Sequence, residues 1–349
     1  MKHAIALALC SAASATLLAP RQDLRFALPA GAKTEKHFTE VTKWSLESME
    51  QEIDGQHAAV QVPAMSGVVE RKLGVIDTLV ALDARGPLRL EREFVNVSTG
   101  AELRFAAGPG SDDFTLPLTS ALEGRRVVFE RKPKEAEWTR TFAGEPEAQA
   151  DVLSGLREDL DLRALVAEEG VEQGDTWKLD AATLADVLAP GGDLRFTFAT
   201  RALPSSQFLD PTEIVGTTLC ALADSTGELA GEILCTWRET KTIGDARCAL
   251  IELEWESTAR NDLAAELARR QESAGSEVLR EDLAMQFSWS TEGKGQLLWN
   301  LDAKRAHSLE LELDSDVAID FKWVAVESTV AFHFDLTAKS ALSASFESR

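Results

Sequence analysis

Tyrosine is absent from the 349 residues, although 15 Phe and 8 Trp are present. Compositional bias accounts for that gap, and we attach no function to it. Basic residues are few: 36 Lys and Arg against 58 Asp and Glu leave a net charge of -22. Such a surface repels phosphate backbones and anionic headgroups, so no nucleic-acid partner is expected. The excess acid reads first as solubility. No apolar run beyond residue 20 approaches the ~20 residues a spanning helix needs, so no membrane span is expected. Catalytic signatures are missing as well. The chain has no G-x-S-x-G elbow, H-E-x-x-H pair or Walker loop, and no cofactor is expected. Gly108-Pro109-Gly110-Ser111 and Pro190-Gly191-Gly192 lack phosphate-cradle spacing and read as turns.

What is present begins with an export signal. Met1-Lys2-His3 precedes an apolar or small run from Ala4 to Ala19, then Pro20-Arg21-Gln22-Asp23. A basic start, an apolar stretch and small residues suit a signal peptide over 1–20, cut after Ala15 or near Ala19. Periplasmic or extracellular location follows as an expectation. Cys10 is preceded by Leu9 rather than the small residue that lipid attachment favours.

Three cysteines remain, Cys220, Cys235 and Cys248, without the paired spacing of a zinc site. In an oxidising compartment an odd number leaves one thiol over. Cys235 and Cys248 have opposite strand parity, which argues against a bond between them. A Cys220–Cys235 bridge would need a bulge to bring the two together.

The patterning predicts a mainly β chain with a few helices (α+β): two antiparallel meander halves joined by a helical segment, with helices covering sheet faces. The first half spans 21–145. In it Ile76–Asp83 and Leu88–Val97 flank a turn at Ala84-Arg85-Gly86-Pro87, and Val127–Phe129 and Trp138–Phe142 are short strands. Over 146–190, Val152, Leu153, Leu156, Leu160, Leu165 and Val166 have the spacing of an amphipathic helix. Asp180 caps a second, short helix through Leu188. The second half, 191–349, alternates in every run. A turn centred on Asp245 sets Cys235 opposite Trp255 and Trp237 opposite Leu253. A loop at Gly293-Lys294-Gly295 sets Phe287 opposite Leu301 and Trp289 opposite Trp299. Leu309, Leu311 and Leu313, then Ile319, Phe321 and Trp323, then Val330, Phe332, Phe334 and Leu336 continue the meander. Helix-forming residues near 261–283 predict a helix laid over a sheet face. Asp23-Leu24-Arg25-Phe26 recurs as Asp193-Leu194-Arg195-Phe196, an echo compatible with duplication.

Chemistry-bearing candidates are few. His333 and Asp335 share a strand face, as a dyad would, although exposed polar residues alternate the same way. Asp314-Ser315-Asp316 with Asp320 has the acid of a calcium loop but lacks the central Gly and terminal Glu of an EF-hand, so no metal site is assigned. Trp237, Trp255, Trp289, Trp299 and Trp323 all fall on apolar strand faces. Uncovered, they would line a site for a lipid or other apolar ligand; covered, they are core. Gly174-Asp175-Thr176-Trp177, followed by the meander to Phe346, resembles exported bacterial β-rich proteins of unknown function, which carry no catalytic residues to transfer. In architecture the chain resembles lipoprotein-carrier folds, a curved sheet with helices over its apolar face. Three functions follow: a non-catalytic envelope or extracellular protein that binds a partner or builds a surface structure, a carrier of an apolar ligand, and a hydrolase with dispersed acidic residues.

Overall fold

The computed structural model describes residues 21–59, 64–83, 86–106, 111–133, 135, 137–144, 150–198, 228–262, 284–325 and 328–349. The expected signal peptide, Cys220, and the expected helix from residue 263 onward lie outside them. In chain order the first strands are β1 (Lys33–Ile53), β2 (Gln56–Ala58), β3 (Ala64–Asp83), β4 (Gly86–Ala106), β5 (Ser111–Ser120), β6 (Arg126–Glu130) and β7 (Thr139–Phe142). Two one-turn helices, α1 (Ala150–Leu153) and α2 (Leu184–Leu188), flank β8 (Thr176–Asp180). Then come β9 (Phe196–Phe198), β10 (Glu228–Ile243), β11 (Ala246–Asp262), β12 (Ala284–Asn300), β13 (Arg305–Ala325) and β14 (Ser328–Ser348).

All fourteen strands belong to one sheet, ordered β7-β6-β4-β3-β1-β14-β13-β12-β11-β10-β8, with β2 on β1, β5 on β4 and β9 on β5. Each pairing is antiparallel. Strand makes up 72% and helix 5% of the structure, so the α+β expectation of two meanders with helices over their faces is wrong. The halves meet at β1 and β14, the middle of a single sheet. Residues Asn261 and Asp262, expected to open a helix, end β11.

Period-two patterning placed the strands well but misread two registers. The β10–β11 turn exists, yet Cys235 faces Leu253 and Trp237 faces Ile251, because the turn is two residues, Gly244-Asp245, rather than centred on Asp245, and a bulge at Trp237/Glu239 slips the pairing once more. Gly293-Lys294-Gly295 is no loop. β12 runs straight through it, Trp289 pairs with Ala259 and Val317, and Trp299 with Ala249 and Ala306. The two glycines sit in mid-strand because large neighbours lie flat on them. A Cβ on Gly293 would fall 2.1 Å from Trp255 Cζ2, and one on Gly295 2.2 Å from Leu311 Cδ2.

The core-facing side of the sheet wraps a filler segment, residues 150–196. Leu153, Leu156, Leu160, Leu165, Leu184, Val187 and Leu194 join one apolar cluster with Phe94 and Phe129 from one wing and Ile233, Trp237 and Trp299 from the other. Leu153, Leu156, Leu160, Leu165 and Val166 are buried as the spacing predicted, but α1 spans only four residues. The rest is irregular: Gly155 has φ +89° and Leu162 φ +57°, both outside a right-handed helix. The second helix is where expected, but Asp180 caps the 3-10 turn Ala181–Thr183 that leads into it, accepting from the Ala182 amide at 2.8 Å.

An irregular buried segment leaves carbonyls without partners, and the sheet supplies the donors. Arg92 donates to the Arg157 and Glu158 carbonyls at 2.8 and 2.7 Å, and Arg71 to the Leu188 carbonyl at 2.7 Å. Arg92, itself 0% exposed, is paired in fork geometry with Asp77, both contacts at 2.8 Å. Lys36 completes the network, 2.8 Å from Asp77 and 2.7 Å from Asp161 of the filler. Burial alone would raise the Asp77 carboxyl, but Arg92 and then Lys36 outweigh it and hold it down at about 2.

Arg92→Met leaves Asp77 and two carbonyls buried without their main donor, and should cost about 3–5 kcal/mol in urea unfolding. The depressed Asp77 pKa fixes the sign of the acid response: its stabilisation, about 2 kcal/mol, is complete above the ordinary carboxylate range near pH 4 and fades as pH falls towards 2. Asp77→Asn should flatten that limb of the stability–pH curve. Gly293→Val, which drives a side chain into the Trp255 ring, should destabilise by about 1–3 kcal/mol and perturb the near-ultraviolet circular dichroism of the tryptophans.

Candidate functional site

Alternation gives every long strand one core-facing and one outward row, and the core-facing side divides into two halves. The lower half is closed by the filler. There Trp237, Trp255 and Trp299 are 2%, 4% and 0% exposed and belong to the main core. In the upper half Met285, Phe287, Ile319 and Phe321 are buried, while Trp289, Val317, Phe332, Phe334 and Leu336 pack on them only partly buried. Phe332 and Phe334 stack, with centroids 5.8 Å apart and planes at 19°. Beside them Trp44, Ala101 and Leu103 form a further cluster with Met65, Val69, Leu336 and Ala338. Of the five tryptophans singled out in the sequence, Trp289 alone is both described and partly open. Trp323 lies on β13 opposite Val330, and its side chain is outside the described residues.

Between the halves runs a row of hydroxyls. Ser257, Thr291 and Ser315 are successive cross-strand partners on the core-facing side. Ser315 donates to Thr291 Oγ1 at 3.1 Å, and Thr291 donates to the Asp314 carbonyl at 3.0 Å. Among the described residues Ser257 Oγ has no partner, nor has the indole nitrogen of Trp255, two residues back on the same face.

The outward face is polar and acidic. Glu232, Glu256, Glu292 and Asp314 form one cross-strand row, next to Glu254, Lys294 and Glu312. A groove of about 780 Å³ crosses these residues. A second groove, of about 670 Å³, is lined mainly by Thr258, Arg260, Ser288, Ser290, Asp316 and Thr337, which alternate with the core-facing Ala259, Trp289 and Val317. Asp314, Asp316 and Asp320 are thus outward residues of a straight strand, not a loop. Asp314 pairs with Lys339 at 2.7 Å and Asp320 with His333 at 2.7 Å.

His333 and Asp335 do share a face, but the arrangement does not resemble a catalytic dyad. His333 Nδ1 meets Asp320 at 2.7 Å and Nε2 meets Asp335 at 3.1 Å, while Ser48 donates to Asp335 at 2.6 Å. The Asp320 hydrogen bond leads in raising the His333 pKa, and the imidazolium it favours has no lone pair to act as a base. In the second groove the Ser45 and Thr337 hydroxyls hold the Glu47 carboxyl below its usual range, which makes it an ionised acceptor. Burial pushes Glu158 up to about 7, but Arg163 covers it inside the filler and neither groove reaches it.

Cys235 and Cys248 are both buried free thiols, and burial pushes Cys235 up to about 12. The bridge to Cys220 lies outside the described residues. The recurrent Asp-Leu-Arg-Phe segments make the same hydrogen bond: Asp23 accepts from the Arg25 amide at 3.0 Å and Asp193 from the Arg195 amide at 2.9 Å, each with a fully buried Leu between. In Gly174-Asp175-Thr176-Trp177, Gly174 has φ +98° and turns the chain into β8, where the Trp177 ring nitrogen donates to the Leu165 carbonyl at 3.2 Å.

Sequence reasoning passed over the buried ion network, although a signal existed. Asp77 shares parity with Leu73, Val75 and Leu79, and Arg92 shares it with Leu90 and Phe94. Opposite charges therefore interrupt two neighbouring apolar rows, and the register sets them face to face.

No family model matches the chain, and no curated protein matches it in sequence. Among solved structures it is similar to an outer membrane channel from Pseudomonas putida F1, at 8% identity and TM-score 0.20, over 92% of this chain and 97% of that one. It is also similar to OccK7 of Pseudomonas aeruginosa, at 7% identity and TM-score 0.15, over 90% of this chain and 99% of that one. Likeness at this level carries no argument. The expectation of no membrane span is nevertheless withdrawn. It rested on apolar run length, which detects helices only; no helix among the described residues is long and apolar enough to cross a membrane, and strands cross by a different rule.

Proposed function

We propose that this is an exported protein of the cell envelope with no catalytic step of its own, which binds an apolar chain against the upper half of the core-facing sheet. The unequal filling of one continuous face carries this reading. The filler seals the lower half, whereas Trp289, Val317, Phe332, Phe334 and Leu336 remain only partly buried above it. Side chains of that size are the usual lining of apolar ligand sites. Export rests on the N-terminal pattern of Lys2 followed by Ala4–Ala19. The hydrogen-bonded Glu47 carboxyl, held below its usual range, and the pairing of both His333 ring nitrogens with carboxylates favour binding over acid–base chemistry.

Native mass spectrometry of the protein purified from its exported form should show an adduct of lipid mass that dissociates on activation. Phe334→Glu, which places a charge on the half-buried face, should remove the adduct while Phe129→Leu, in the sealed half, retains it. A wild-type spectrum free of any adduct, with no uptake of added lipid, would overturn the proposal.

A further inference from the structure

The hydroxyl row lies between the sealed and the open half, and one of its groups, with the indole just below it, lacks what burial demands. Trp255 and Ser257 are each 4% exposed, yet Trp255 Nε1 and Ser257 Oγ have no hydrogen-bond partner among the described residues. A polar atom kept from water without a partner carries its full desolvation penalty. Among the described residues no neighbour relieves it: the hydroxyl protons of Ser315 and Thr291 are spent on Thr291 Oγ1 and the Asp314 carbonyl, and the Trp255 ring lies against Gly293. The indole nitrogen can only donate, so the missing partner is an acceptor.

The surroundings fix the charge of that acceptor. Three consecutive core-facing rows cross the sheet here: Ala259 to Leu46, Ser257 to Leu103, and Trp255 to Ala101. None carries a charged residue. A carboxylate or phosphate would be buried without a cation, which costs far more than a neutral carbonyl oxygen. Resting on the binding reading above, we infer that Trp255 Nε1 and Ser257 Oγ hold the carbonyl oxygen of a neutral acyl ester or amide, whose hydrocarbon chain runs up the sheet over Trp289, Phe332 and Phe334.

Displacement of a fluorescent apolar probe by dodecane, methyl dodecanoate and dodecanoate at pH 8 tests this. In the wild type the ester should bind about tenfold or more tighter than the alkane, as expected for two recovered hydrogen bonds, and tighter than the carboxylate. The ratio of ester to alkane affinity is the readout, so any general loss of packing in a variant cancels. Ser257→Ala should reduce the ratio by about fivefold, Trp255→Phe by a similar factor, and the double variant should bring it near one. Equal affinities in the wild type, tighter binding of dodecanoate, or a ratio that survives the double variant would overturn the inference while leaving the apolar site intact. Failure of all three compounds to bind would remove the site itself and this inference with it.

Discussion

A largely irregular segment buried against a sheet must find donors for its own carbonyls. Nearly everything in one wing of this protein answers that requirement. Arg92 and Arg71 reach inward from β4 and β3 to the carbonyls of residues 157, 158 and 188. Bringing guanidinium groups inside creates a second requirement, because a buried cation needs a counter-charge. Asp77 meets it for Arg92, and Glu40 for Arg71. Lys36 then balances both Asp77 and the filler's Asp161. The opposite wing, from β10 to β13, meets the filler with aliphatic and indole side chains. The two wings therefore hold one segment differently: buried charge-assisted bonds on one side, and on the other apolar packing together with the backbone ladder between β8 and β10.

That division bears on where binding takes place. The ionic contacts fix the filler at Arg157, Glu158, Asp161 and Leu188, all in the lower half. Above the row of Ser257, Thr291 and Ser315 the sheet continues with the same alternation but, among the described residues, without that filling. A long strand such as β13 thus serves two purposes in sequence: Leu309, Leu311 and Leu313 seal the core, while Val317, Ile319 and Phe321 face the open half.

Much of the sheet was legible because its signal is local. Alternation along Leu309 to Leu313 or Ile251 to Trp255 requires only that neighbours in sequence point to opposite faces. Register was less legible. It depends on bulges such as Trp237/Glu239 and on glycines whose role is to admit a neighbour's ring, and Gly293 looks like a turn residue until Trp255 is seen lying on it. The spacing from Val152 to Val166 misled for a related reason. Leu153, Leu156, Leu160 and Leu165 are buried as a helix face would be, but Gly155 and Leu162 turn the backbone and Arg92 takes carbonyls that a helix would have used. Of the candidate site, the tryptophan faces could be read from parity. Which were covered could not, since that depends on a filler more than fifty residues away from several of them.

The position of β1 against β14 has a consequence for how the molecule is made. Thr42 and Ser340, whose hydroxyls meet at 2.8 Å in the centre of the sheet, are 298 residues apart in sequence. Each neighbouring pair from β10 to β14 closes over a comparatively short stretch of chain, but the seam joining the two wings closes only when the last strand is in place. Contacts of such long range are formed late and slowly, after their loop-closure entropy has been met. Until then both wings present unsatisfied edge strands, which are open to mispairing with other chains. Assembly in this protein is accordingly limited by its final strand.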